Sequence, residues 1–372
     1  MAQTNPGFES TVVLLANIPS TDHVGSAKAL RFPLTGDSPL HRYGPLLELV
    51  REEVGAGRKV VALYPAWRAE TARSALRFVR GALDSPSDVV AGVSLDQPPL
   101  ALSLIADQLT YLAPYLPPGI VAALPHELPG HMLTGAWLRK VSNLSDFPVS
   151  LRQHMRSYSP RSQFLAVCAP GQELSEVRRD STAIPIPARP VDPVQLLVAA
   201  PNSGDIATFQ ARIQPTLGQV GSRPLGPQPL AQEYWGAAQY VEFVAISAHP
   251  QALTGAINNI RAVACAWCHE PVAAQSCPFC GAVNRLSATP IRPPADPSTR
   301  RVPLPEPPTA AESGAQPPAT PPPESHAAPP ASPPPAQTPP EPSIAPGGRI
   351  RSQPLDPSTG APDPSLPRNG DA

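Results

Sequence analysis

Four of the five cysteines lie between positions 265 and 280, as Cys265-Ala-Trp-Cys268 and Cys277-Pro-Phe-Cys280, two CxxC pairs separated by eight residues. Two thiolates from each pair can converge on one cation, and four sulfurs are the donor set of a closed tetrahedral site. In a reducing compartment, clustered cysteines favour metal over disulfides. Two other chemistries use the same residue types. Cys265-Ala-Trp-Cys268-His269 has the order of a c-type haem attachment sequence, and a lone CxxC can be a redox dithiol. Haem attachment needs an exported chain, whereas Met1–Ser10 has neither a basic nor an apolar signal region, and it leaves the second pair unexplained. A thioredoxin-like dithiol follows a strand inside an α/β unit and does not stand beside a second pair.

The array resembles a short zinc ribbon, with Cys277-Pro-Phe-Cys280-Gly281 matching the family's knuckle. In the first pair His269 takes the place where glycine is common, a departure that bears on knuckle geometry and not on ligands. The resemblance implies structural Zn2+ held by Cys265, Cys268, Cys277 and Cys280. With four protein ligands no coordination position is left for catalysis. It implies no reaction.

Other candidates are weaker in their spacing. His126-Glu127-Leu-Pro-Gly-His131 invites comparison with HExxH, but its histidines are five apart and Pro129-Gly130 breaks the helix that the motif requires. Cys168 ends an apolar run and reads as a buried small hydrophobe. Neither a dinucleotide-binding nor a phosphate-loop glycine pattern is present. Polar residues that follow the apolar runs are candidates for a crevice at the strand ends: Asn17, Asp22, His23, Asp96, His126, Glu127, Asn202, Asp205 and His249. Arg68, Arg73, Arg77 and Arg80 give one helix a basic face, read as solvated.

The elements that must position these groups follow one rhythm over residues 1–258. Apolar runs at Val12–Ala16, Val60–Leu63, Val89–Leu95, Ile120–Leu124, Phe164–Val167, Leu196–Ala200 and Val241–Ile246 are each followed by proline. Runs without alternation suit strands buried on both faces. Between them, Pro45–Val54 presents Leu46, Leu47, Val50 and Val54 on one face. Ala72, Ala75, Leu76, Val79 and Leu83 form a second helical stripe, and Met132, Leu133, Ala136, Trp137 and Val141 a third. Strand–helix alternation predicts an α/β domain with an open, mainly parallel sheet of about seven strands and flanking helices. Residues 259–288 are expected to form the ribbon. Stripped of metal, the segment around Arg261–Leu286 is expected to unfold locally and leave the α/β body intact.

Composition separates this body from the C-terminal segment. Nearly half of the 56 prolines lie after Ser287, and residues 289–372 are expected to be a disordered proline-rich tail. Lys28, Lys59 and Lys140 are the only lysines, an arginine bias of the kind GC-rich bacterial genomes carry. A net charge of −1 gives no field for nucleic acid, and no apolar run reaches membrane-spanning length. A cytoplasmic location is expected. These features suggest a non-catalytic adaptor or regulatory protein that meets a protein partner through the ribbon, near Trp267 and Phe279, or through the tail. The alternative is an enzyme or small-ligand sensor using the crevice at the C-terminal strand edge.

Overall fold

The computed structural model describes residues 9–284, apart from 84–86, 145–146, 160–161, 179, 182 and 250. The expected proline-rich tail lies outside the described residues. The elements in chain order are β1 (Ser10–Leu14), β2 (Leu30–Arg31), α1 (Pro39–Gly55), β3 (Lys59–Pro65), α2 (Ala69–Gly81), β4 (Val90–Leu95) and α3 (Pro99–Leu112). Next come α4 (Pro118–Glu127), β5 (Met132–Leu138), α5 (Leu151–Arg156), β6 (Gln163–Ala169), β7 (Glu173–Val177), β8 (Val194–Ala199) and α6 (Ser203–Leu217). The last are β9 (Gly221–Leu225), α7 (Ala231–Trp235), β10 (Tyr240–Ser247), α8 (Ala252–Asn259), β11 (Val263–Ala264) and β12 (Pro271–Val272).

The expected single sheet is corrected to two principal sheets. The first is four-stranded, in the order β2-β1-β3-β4, and wholly parallel. The second has the order β7-β6-β5-β10-β8-β9 and is antiparallel except for β8 with β9. Unbroken apolar runs report burial on both faces, which both sheets achieve. Along β3, Val61 and Leu63 enter one core, and Val60, Ala62 and Tyr64 enter another. On β10, Val244 and Ile246 face one core, and Val241, Phe243 and Ala245 face its opposite.

Two elements exchange types relative to the sequence reading. Ile120–Leu124 lies inside helix α4, started by Pro118 in its first turn; a short apolar run is equally a buried strand or a buried helix. The stripe from Met132 is strand β5, buried along its whole length. Gly135 permits it to sit there: a Cβ at this position would lie 2.1 Å from the Ala166 carbonyl oxygen, where the register with β6 shifts. Helix α3 fills the space between the sheets. All of its residues but Thr110 and Tyr111 are buried, against β1 on one side and β10 on the other.

Two buried carboxylates tie α3 to its surroundings. Asp107 accepts from Ser20 Oγ at 2.8 Å, from the Ala29 amide at 3.2 Å and from Arg31 Nη2 at 2.8 Å, which fixes the long β1–β2 connection. Glu242 of β10 accepts from the Leu100 amide at 2.8 Å, at the start of α3. Burial pushes the Glu242 carboxyl up to about 8, and the Leu100 hydrogen bond recovers only part of the shift.

Candidate functional site

In the first sheet the chain runs outward from β1 to β2, then returns to β3 on the other side of β1. The C-terminal ends of β1 and β3 therefore form a topological switch point, where connections diverge and an open α/β sheet leaves a crevice. A crevice of about 570 Å³ is found there. Leu15 and Ala16 line it from the end of β1, Leu34 from the segment after β2, and Trp67, Arg68 and Thr71 from the β3–α2 connection.

Each of these residues is held by its element. The Leu15 amide bonds to the Leu63 carbonyl at 2.8 Å, which extends the β1–β3 pairing to the crevice floor. Leu34 has φ 54°, a left-handed conformation that costs an aliphatic residue about 1–2 kcal/mol. Its side chain is nonetheless buried, packed with Tyr43 and Leu47. Arg68 makes a two-pronged contact across the rim to Glu233 of α7, at 2.7 and 2.6 Å. The Trp67 ring packs against Tyr234 with centroids 5.4 Å apart. Its indole Nε1 is buried without a hydrogen-bond partner. Helix α2 begins with no side-chain cap; the Ala69 amide bonds to the Ala66 carbonyl of the preceding turn, and Glu70 stands in the first turn beside the crevice.

The nine polar residues expected at the strand ends are scattered. Asp22 pairs with Lys28 at 2.6 Å, and Asp205 with Arg139 at 3.3 Å. His23 and His249 border a separate cleft of about 330 Å³, and His126 and Glu127 another, on the outer side of β4. Helix α4 ends at Glu127 and a tight turn carries Leu128–His131, so the HExxH-like histidines do not share a helix face. The basic face of α2 is partly engaged: Arg68 holds Glu233, and Arg80 donates to the Val90 carbonyl at 2.7 Å. Residues that line the switch-point crevice are mostly apolar, and a search for polar groups after strands passes over them.

The four cysteines of the array do converge. Their sulfurs all lie within 4.8 Å of one another, with Cys265–Cys280 at 3.5 Å and Cys268–Cys277 at 3.6 Å. A tetrahedron with Zn–S bonds of about 2.3 Å has edges of roughly 3.8 Å, so the donor set and its spacing fit a metal ion. The two knuckles repeat one geometry. His269 N bonds to Cys265 O at 3.1 Å and Gly281 N to Cys277 O at 2.9 Å. Cys265 N bonds to Glu270 O at 2.8 Å and Cys277 N to Ala282 O at 2.9 Å. His269 takes φ 59° where Gly281 takes φ 76°, so the histidine adopts the glycine conformation. Burial raises the Cys265 thiol, but the amides of Trp267 and Cys268 turned toward its sulfur outweigh that and hold it at about 6.

This module is not a separate appendage. Cys265, Val272, Cys277 and Phe279 belong to the same core as α3 and α4. Glu270 reaches into the body, where it accepts from the Gly119 amide at 2.9 Å and from Lys59 Nζ at 2.8 Å. The Lys59 ammonium in turn lies 4.8 Å from the Phe279 ring centroid. A Cβ on Gly119 would fall 2.0 Å from the Pro271 carbonyl oxygen, so the backbones touch. Of the two residues expected to offer apolar contact, Phe279 is buried; Trp267 is exposed.

No family model matches the chain, and no curated protein matches it. Solved structures do. A DegV family protein of Corynebacterium glutamicum is 13% identical, with a TM-score of 0.42 over 66% of this chain and 99% of that one. A stearic acid-binding protein of Eubacterium ventriosum is 11% identical, with a TM-score of 0.46 and the same coverage. A Thermotoga maritima protein described as revealing fatty acid binding function is 9% identical, with a TM-score of 0.40 over 64% of this chain and 99% of that one. At these scores the chain's own geometry has to carry the functional argument. The adaptor reading is corrected on that basis. The chain has a ligand-sized crevice at its strand ends, while Phe279, half of the contact expected from the ribbon, is packed into the core.

Proposed function

We propose that the chain binds a small amphipathic carboxylate in the switch-point crevice. The observation that carries this reading is the coincidence, between β1 and β3, of a ligand-sized opening with both apolar and polar walls and a helix start without a side-chain cap. The amides at the start of α2 suit a carboxylate. Leu15, Ala16, Leu34 and Trp67 suit an apolar body, and Arg68, fixed by Glu233, forms the rim. The strained Leu34 supports the reading, because local strain collects where a ligand is held.

The test is calorimetric titration with a long-chain fatty acid and with its methyl ester, which lacks the negative charge. Saturable binding of the acid that weakens in the ester and is lost in Thr71→Trp supports the site. Equal affinity in Thr71→Trp overturns it. We further propose that Cys265, Cys268, Cys277 and Cys280 hold one structural Zn2+, with all four positions protein-filled. Elemental analysis should return one zinc per chain, and Cys277→Ser should lower that ratio.

A further inference from the structure

The cysteine module forms one wall of a second cleft, distinct from the strand-end crevice. This cleft of about 710 Å³ lies between the outer strand β4 and helix α4, and its far side is the chain leading from α8 into the module. Ala122 and Ala123 of α4, with Val93 of β4, make its apolar surface. Ala273, Ala274 and Pro278, from the loops that carry the cysteines, close it. The volume is that of a drug-sized ligand site, and the walls are mainly apolar, as such sites are.

The polar groups are few and sit at the edge. Arg261 is exposed, and its guanidinium has no ion pair among the described residues. His126 and Glu127 stand at the C-terminal end of α4. Burial lowers the His126 pKa, so Arg261 is the lasting positive charge at this opening. A ligand with an apolar body and one anionic group has a single favourable orientation, with the anion on Arg261.

We propose that this cleft binds a small amphipathic anion and that metal at the four cysteines sets its affinity. Val272 and Phe279 anchor the module to the body core, but Ala273, Ala274 and Pro278 lie outside its two two-residue strands, in loops whose ends are carried by Cys268, Cys277 and Cys280. Ala273, Ala274 and Pro278 are thus placed by coordination, and a ligand that touches them binds the metal-loaded state in preference. By linkage, the same ligand must tighten metal binding by the same factor. The proposal rests on the metal-held reading of the cysteines and is independent of the strand-end crevice.

The experiment uses the full chain and two probes with one ring system, 1-anilinonaphthalene-8-sulfonate and the uncharged N-phenyl-1-naphthylamine. Metal content is measured in parallel. We expect one Ala123→Trp-sensitive saturable sulfonate site per loaded chain, roughly tenfold weaker in Arg261→Ala, with the uncharged probe unaffected by that change. Ala123→Trp should abolish the site with metal content unchanged, and Thr71→Trp should leave it intact. Stripping the metal should weaken the Ala123→Trp-sensitive binding at least tenfold. Sulfonate binding undiminished in Ala123→Trp, or no saturable site in the loaded chain, overturns the proposal. Site-specific affinity unchanged on metal removal overturns the coupling. A chain that contains no metal as isolated, and takes none up, fails the underlying metal reading instead.

Discussion

Replacing Glu270 with alanine should destabilise the whole body, although the residue lies between the two knuckles. Its carboxylate accepts from the buried Gly119 amide at 2.9 Å and pairs with Lys59 at 2.8 Å; the Glu270 side chain is 9% exposed and that of Lys59 24%. Alanine leaves the Gly119 amide without a partner, a loss of about 1–3 kcal/mol. It also strips Lys59 of its counter-ion. Breaking a fully buried pair costs about 3–5 kcal/mol, but Lys59 can turn toward water, so its share is nearer 1 kcal/mol. The sum is about 3 kcal/mol, or a fall in Tm on the order of 6–12 °C for a body of this size. Glu270→Gln keeps an acceptor for Gly119 and should lose about half as much. The assay is thermal and urea unfolding of the metal-loaded chain, with a chromophoric chelator to follow metal release. A Glu270→Ala protein within 0.5 kcal/mol of wild type, releasing metal at the wild-type rate, would refute the reasoning.

Gly119→Ala should cost about 1–3 kcal/mol, because its Cβ would meet the Pro271 carbonyl oxygen at 2.0 Å; faster metal release would accompany it. Glu242 is raised from the ordinary carboxylate range to about 8, so the folded state binds the extra proton between roughly pH 4.5 and 8. Its stabilising contribution is complete below that window and is lost as pH rises through it. Glu242→Gln should flatten the fall of stability across this range in urea titrations. His269→Gly should be neutral or stabilising by up to about 1 kcal/mol, with unchanged zinc affinity, since φ 59° suits glycine better; a tenfold loss of zinc affinity would give the imidazole a role that the geometry does not.

The cysteine spacing was legible because ligand identity and separation are local properties of the chain. The support beneath the module was not. Glu270 meets Lys59 and Gly119 at sequence separations of 211 and 151, and no local pattern announces either partner. Burial of the strands was readable from their apolar runs, but a run buried on both faces looks alike in a parallel and an antiparallel sheet, which hid the second sheet. Helix α3 was missed for a related reason: buried on nearly every side, Pro99–Leu112 has no single apolar stripe to betray its period. The periodicity of Met132–Val141 misled, since Trp137 and Leu133 lie four apart yet share one face of β5 and one core. The crevice residues Ala16, Leu34 and Thr71 carry no chemical signature, and topology alone brings them together.

The contact between Glu270 and the body also has a meaning in time. On a ribosome adding about 5–20 residues per second, Lys59 is made roughly 10–40 s before the carboxylate that neutralises it, 211 residues later. Over the last 151 residues of that interval, once Gly119 has been made, the first turn of α4 lacks both the acceptor for its amide and the backbone that covers it. The parallel sheet can assemble early, but the body stays open on that side until the cysteine loops emerge. Synthesis halted before residue 270 would therefore release a chain with an uncovered apolar helix, a natural substrate for chaperones and proteases.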